Sequence, residues 1–120
     1  MNLAGYKWLI RVASRPEAGG GHVSRCRALL RSLLEYGPVT VMLDRTGGAW
    51  TPYFAMPNVD VVSSDDQLAS NEYSWVILDD FEANEHDVTT LNKYAPVAIF
   101  DDTITPPKNV DIVITPAPQL

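Results

Sequence analysis

Six short apolar runs, most of which do not alternate with polar residues, constrain this chain most. They are KWLIRVA (7–13), VTVML (39–43), VDVV (59–62), WVILDD (75–80), VAIFDD (97–102) and VDIVIT (110–115). A strand with one wet face alternates apolar and polar side chains. A run that stays apolar is buried on both faces, as in a parallel strand held between two helical layers. Parallel neighbours need long crossovers, and the intervals between the runs supply them. The first interval holds the best helix, predicted over 23–36, with Val23, Cys26, Leu30, Leu33 and Leu34 on one stripe. Arg31 and Glu35 form an i,i+4 pair on its wet side, and Gly37 stops it. A second helix is predicted over 85–94, with Asn84 as N-cap and Asp87 in the first turn, and a short one over 66–70. The expectation is an α/β fold, a Rossmann-like three-layer sandwich around a mainly parallel sheet, with all 120 residues in a single domain.

Composition removes whole classes of function. The formal net charge of −6 counts against a basic stripe that neutralises phosphates, so nucleic acid is not an expected partner. Arg25, Arg27 and Arg31 in one short segment still leave room for a local cationic spot. No apolar run approaches the roughly 20 residues of a membrane span. The start, MNLAGYKWLI, lacks the basic and apolar regions of a signal peptide. One cysteine excludes an intrachain disulfide and fits a reducing compartment, so a cytoplasmic soluble domain is expected. The ending TPAPQL (115–120) has the proline-rich composition of a strand exit into a linker, which suggests one half of a longer two-domain architecture.

The chemistry concentrates in EAGGGHVSRCRALLRSLLEYG (17–37), which lies between the first strand and the first helix. Such a loop stands at the C-terminal edge of a parallel sheet, where α/β folds place ligands. Three readings compete. The plain one is a glycine turn with a solvated histidine. The second is a dinucleotide fingerprint, for which Gly19-x-Gly21 and Asp44 are suggestive, but Ser24 stands where the third glycine belongs. The third is a catalytic loop. Gly19, Gly20 and Gly21 let backbone N–H groups approach a ligand, and the positive end of the helix dipole favours anionic groups there. The same dipole disfavours an imidazolium, so His22 is expected to stay neutral and able to act as a base. Arg25, one turn on, could hold a phosphate or carboxylate by its fork.

Two strands end in acids, Asp79-Asp80 and Asp101-Asp102. These either cap the next turn or meet sugar hydroxyls, and Asp80 and Asp102 are the candidate substrate contacts. With no third acid at ligand spacing a metal cage is not expected, and no cofactor is expected either. His86 reads as exposed, Cys26 as core, and Gly47-Gly48 as a second loop walling the same edge.

On these residues the chain resembles the UDP-sugar hydrolase family of pseudaminic acid biosynthesis, which has the GT-B-type architecture of nucleotide-sugar glycosyltransferases. The family pattern is a strand with an arginine, a loop ending Gly-x-Gly-His, and Arg-Cys within a helix. Arg11, Gly19, Gly21, His22, Arg25 and Cys26 match it. WVILDDFE is similar to the family's acid-ended strand, and VAIFDDTITPPKNVDIVITPAP to its Asp-Asp segment. Asp80-Phe81 departs from it, since members often carry an aromatic hydroxyl or histidine after the acid strand. The resemblance spans nearly all of this chain but only the family's N-terminal half. It implies that water attacks the anomeric carbon of a UDP-sugar with His22 as general base, while a C-terminal domain holds most of the nucleotide. On that basis this half alone is not expected to turn over efficiently. Two alternatives stay open beside hydrolysis: transfer to an acceptor hydroxyl, and a stand-alone binding or interaction domain that keeps the fold without catalysis. Self-association is open too.

Overall fold

The computed structural model describes residues 6–14, 21–44, 50–63, 68, 73–80, 82–100 and 109–114. Along the chain these form β1 (Trp8–Val12), α1 (Gly21–Leu33), β2 (Val39–Met42), α2 (Thr51–Phe54), β3 (Val59–Val62), β4 (Trp75–Asp79), α3 (Glu85–Asn92), β5 (Val97–Phe100) and β6 (Ile112–Ile114). The strands make one sheet in the order β3-β2-β1-β4-β5-β6, and every neighbouring pair is parallel. This is the Rossmann-like order, in which the direction of winding reverses between β1 and β4.

Double-sided burial explains the apolar runs of β1, β2, β4 and β5. The edge strands β3 and β6 have no fully buried residue, since each has a sheet neighbour on one side only among the described residues. Ile10, Val12, Val39, Val41 and Ile77 pack with Val23, Cys26, Leu30 and Leu33 of α1 and Phe54 of α2 on one face. Leu9, Met42, Val76, Leu78, Val97 and Ile99 pack with Val88 and Leu91 of α3 on the other. Neighbours in sequence therefore serve different layers. Right-handed crossovers put α3 opposite α1. On the α1 side, the β4–β6 half of the sheet keeps an apolar groove of about 500 Å³, lined by residues including Trp8, Trp75, Ile77, Ala98 and Ile112.

The boundaries differ from expectation in instructive ways. β1, β2, β4 and β6 are shorter than the apolar runs, although ladder bonding continues past two of them. The Ala13 N–H donates to the Asp79 carbonyl at 2.9 Å, and the Leu43 N–H to that of Val62 at 2.8 Å. Residues 101–102 and 115, expected at strand ends, lie outside the described residues. α1 starts at Gly21 rather than Val23, so Gly21 and His22 belong to its first turn instead of the loop before it. It ends at Leu33, because the Glu35 and Tyr36 N–H groups reach carbonyls three residues back and tighten the chain into a turn. Gly37 follows, and its side-chain position is closed: a Cβ there would stand 1.7 Å from the Tyr6 carbonyl oxygen. Close approach to β1, as well as helix termination, calls for glycine.

α3 has the predicted N-terminus. The Asn84 side chain accepts the Asp87 N–H at 3.0 Å, and the Asp87 carboxylate accepts the Asn84 N–H at 2.9 Å, a complete capping box. It ends at Asn92 rather than Tyr94, whose N–H closes a turn onto the Leu91 carbonyl. The short helix expected over 66–70 lies outside the described residues except for Leu68, which is not helical. α2 was not expected. It is four residues long, opens with Pro52 at a helix start and buries only Phe54. None of the described helices is long and apolar enough to cross a membrane.

Candidate functional site

The strand order brings three chain ends together at the C-terminal edge of the sheet: the exits of β1 and β4 and the first turn of α1. Of the expected site residues, Gly21 and His22 stand in that first turn as backbone, and Arg25 one turn further along α1. Asp80 follows β4 directly. Gly19, Gly20 and Asp102 lie outside the described residues.

Arg25 meets a partner that the sequence reading had not singled out. Its Nε donates to Asp79 Oδ2 at 3.0 Å and its Nη2 to Asp79 Oδ1 at 2.5 Å, a two-pronged pair. The Asp79 side chain is 1% exposed and that of Arg25 is 26% exposed. The guanidinium lies over the Phe100 ring, 3.8 Å from its centroid. The fork expected to face a ligand thus turns two donors inward to a strand-end carboxylate. Asp79 also accepts from Cys26, whose Sγ is 3.2 Å from Oδ2. Cys26 is the buried core residue the stripe predicts. Burial pushes its thiol well above the ordinary value of 9.0, the Asp79 charge and hydrogen bond push the same way, and Arg25 opposes them. It is a protonated donor, not a nucleophile.

Asp80 takes the turn-capping role. Its Oδ1 accepts the Glu82 N–H at 2.9 Å and its carbonyl accepts that of Ala83 at 3.0 Å, shaping the turn that leads into α3. Alternation in β4 decides between the two acids: Trp75, Ile77 and Asp79 share the α1 face, and Asp80 does not. Parity in the sequence puts the two acids on opposite faces, and the position of α1 then selects Asp79.

On the far side of β1 the strand ends are tied to each other. Arg11 Nη2 donates to Asp44 Oδ1, the Ser14 N–H donates to Asp44 Oδ2 at 2.8 Å, and the Asp44 N–H donates to Ser14 Oγ at 2.7 Å. Arg11 also donates to the Val12 carbonyl at 2.8 Å. In a dinucleotide fold an acid at this place meets ribose hydroxyls. Here both its oxygens bridge to β1. Among the described residues no three His, Cys, Asp or Glu side chains converge as metal ligands. His86 is exposed in the first turn of α3, which packs on the sheet face opposite α1. No family model, curated protein or solved structure matches the chain.

Proposed function

We propose that this chain is the N-terminal, sugar- or acceptor-side domain of a nucleotide-sugar hydrolase or glycosyltransferase of surface-polysaccharide or nonulosonic acid biosynthesis, with His22 as general base. The observation that carries the reading is the first turn of α1, with Gly21 and His22 in it, standing where β1 and β4 part. Ligands of open α/β sheets bind at that crevice, and a helix N-terminus there favours anions while it keeps an imidazole neutral. The motif resemblance of Arg11, Gly21, His22, Arg25 and Cys26 supplies the substrate class, a UDP-sugar.

In this reading His22 removes a proton from water, whose oxygen forms a bond to the anomeric carbon. The anomeric carbon–phosphate oxygen bond breaks, and the electron pair leaves with UDP. In the transferase version an acceptor hydroxyl takes the place of water. Gly19, Gly20 and Gly21 shape the sugar pocket, Asp102 flanks it, Asp80 flanks it while its Oδ1 caps the Glu82 turn, and a C-terminal domain of the parent protein holds the nucleotide. The bridging of Asp44 to Arg11 and Ser14 disfavours a dinucleotide there. A specific observation also favours the non-catalytic alternative: the donors Arg25 would offer an anion are directed to Asp79.

The test is His22→Ala in the complete protein, assayed for release of UDP from UDP-sugars with and without acceptor. Loss of on the order of a hundredfold or more in kcat is expected for removal of a general base. Undiminished turnover, or binding of NAD but not UDP-sugars in ligand-observed NMR, would overturn the reading.

A further inference from the structure

We propose that Asp79 is a positioning residue: by gripping Arg25 and Cys26 together it sets the place of the first turn of α1, and so of His22, at the β1–β4 crevice. The functional half of this statement rests on the reading of His22 as the base; the mechanical half does not.

The geometry argues for a clamp. Arg25 and Cys26 stand one turn beyond His22 along the same helix, at i+3 and i+4. Asp79 accepts two hydrogen bonds from the first and one from the second. One attachment would let a helix roll about its axis. Two adjacent attachments to a single carboxylate set both its rotation and its distance from the sheet. The carboxylate is itself held, because Asp79 ends β4 opposite Val12 of β1 and its carbonyl takes the Ala13 N–H. The Phe100 ring beneath the guanidinium defines the plane in which the fork lies. A continuous path therefore runs from the middle of the sheet through Asp79 into the turn that carries His22.

The chemistry is unusual for mere packing. Elsewhere α1 is fastened by Val23, Leu30 and Leu33, which bury without any polar group. Placing a carboxylate in the same layer incurs a desolvation penalty that an apolar side chain of similar volume avoids, and such pairs are weak sources of stability. What they provide is direction: hydrogen bonds specify an angle, and apolar contacts do not. At this helix end the orientation matters, because a base displaced by about 1 Å can lose on the order of a hundredfold in rate. Arg25 then acts through the helix and not by holding the ligand.

The chain carries its own reporters. It has two histidines, and His86, exposed on α3, is an internal reference. It has one cysteine, so alkylation reads Cys26 alone. In the full chain, Asp79→Asn is expected to shift the imidazole NMR signals of His22 and leave those of His86 in place. It should also accelerate Cys26 alkylation by on the order of ten- to a hundredfold, the scale of losing one charge-assisted hydrogen bond. Arg25→Lys, which keeps the charge but not the fork, should give an intermediate result. Val88→Ala, which loosens the packing of α3 on the opposite face, should change neither. If Asp79→Asn does not fold, Arg25→Lys and Cys26→Ala carry the spectral test. His22 signals that coincide with wild type in these folded variants would overturn the clamp. In the complete enzyme, Asp79→Asn should lower kcat with KM little changed. A raised KM at unchanged kcat would instead make this cluster a ligand contact and overturn the assignment. Retained turnover in His22→Ala sinks the proposed function but leaves the spectral and thiol results standing.

Discussion

Replacing Arg25 by methionine isolates the energetic consequence of the buried carboxylate. Methionine keeps an unbranched stem and an S–aromatic contact with Phe100, but it removes both donors to Asp79. The Asp79 side chain, 1% exposed, then loses the two-pronged guanidinium contact of Arg25. Breaking a buried pair from one side costs about 3–5 kcal/mol, and the 26% exposure of Arg25 lets water soften the loss toward the lower figure. A loss near 3 kcal/mol is a large part of the ~5–15 kcal/mol available to a domain, and lowers Tm by roughly 10 °C at this chain length. Urea unfolding followed by circular dichroism would measure it, with Arg31→Met, exposed on the same helix, as the control expected to stay within about 0.5 kcal/mol. Adding Asp79→Asn to Arg25→Met should recover part of the deficit, since it removes the buried charge that Arg25 faced. A loss below about 1 kcal/mol, or a double variant whose effects simply add, would refute the claim that Arg25 neutralises Asp79.

Other outcomes follow from single contacts. Gly37→Ala should destabilise by about 2 kcal/mol or more in thermal melts, because its Cβ would lie 1.7 Å from the Tyr6 carbonyl and β1 would have to shift. Asn84→Ala should cost about 1 kcal/mol through loss of the α3 cap, with faster amide exchange confined to the first turn of that helix. Cys26 sets an alkaline limb. Its folded thiol holds its proton above the ordinary 9.0 chiefly because it is buried, so its stabilising contribution is complete below that pH. Above it the unfolded thiol ionises first, and stability falls by up to about 1.4 kcal/mol per pH unit until the folded thiol ionises. Cys26→Ala should flatten this limb in urea midpoints compared at about pH 8 and about pH 10; an identical slope in both proteins would show that Cys26 does not cause it.

The layers were legible because burial on two faces leaves a plain trace in sequence. Val39–Met42 and Val97–Phe100, buried throughout, could hardly be read otherwise, and Asn84 with Asp87 announced the start of α3. The sequence hides the start of α1 because glycine has poor helix propensity and the apolar pattern begins only at Val23; in the first turn, where few backbone bonds depend on it, Gly21 is tolerated. α2 was invisible since four residues hold barely one turn of periodicity. The partner of Arg25 lies 54 positions away, beyond any local pattern, and the choice between Asp79 and Asp80 required knowing which face α1 covers. The strand order is a long-range fact of the same kind.

The join between β1 and β4 has a consequence for folding. Strands β3, β2 and β1 are successive in the chain, as are β4, β5 and β6, whereas the seam between these halves bonds Lys7 to Ser74 across 67 positions. Loop closure over that separation adds little to the equilibrium balance, since its entropy grows only with the logarithm of length. It weighs on the rate, for distant parallel pairing is slow. Each half can gain order from contacts near in sequence, while the seam waits for both. The crevice, the Arg25–Asp79 grip and the place of His22 all lie on that seam. The site therefore comes into existence only as folding completes, and a nascent chain halted before residue 75 has the histidine but no site to put it in.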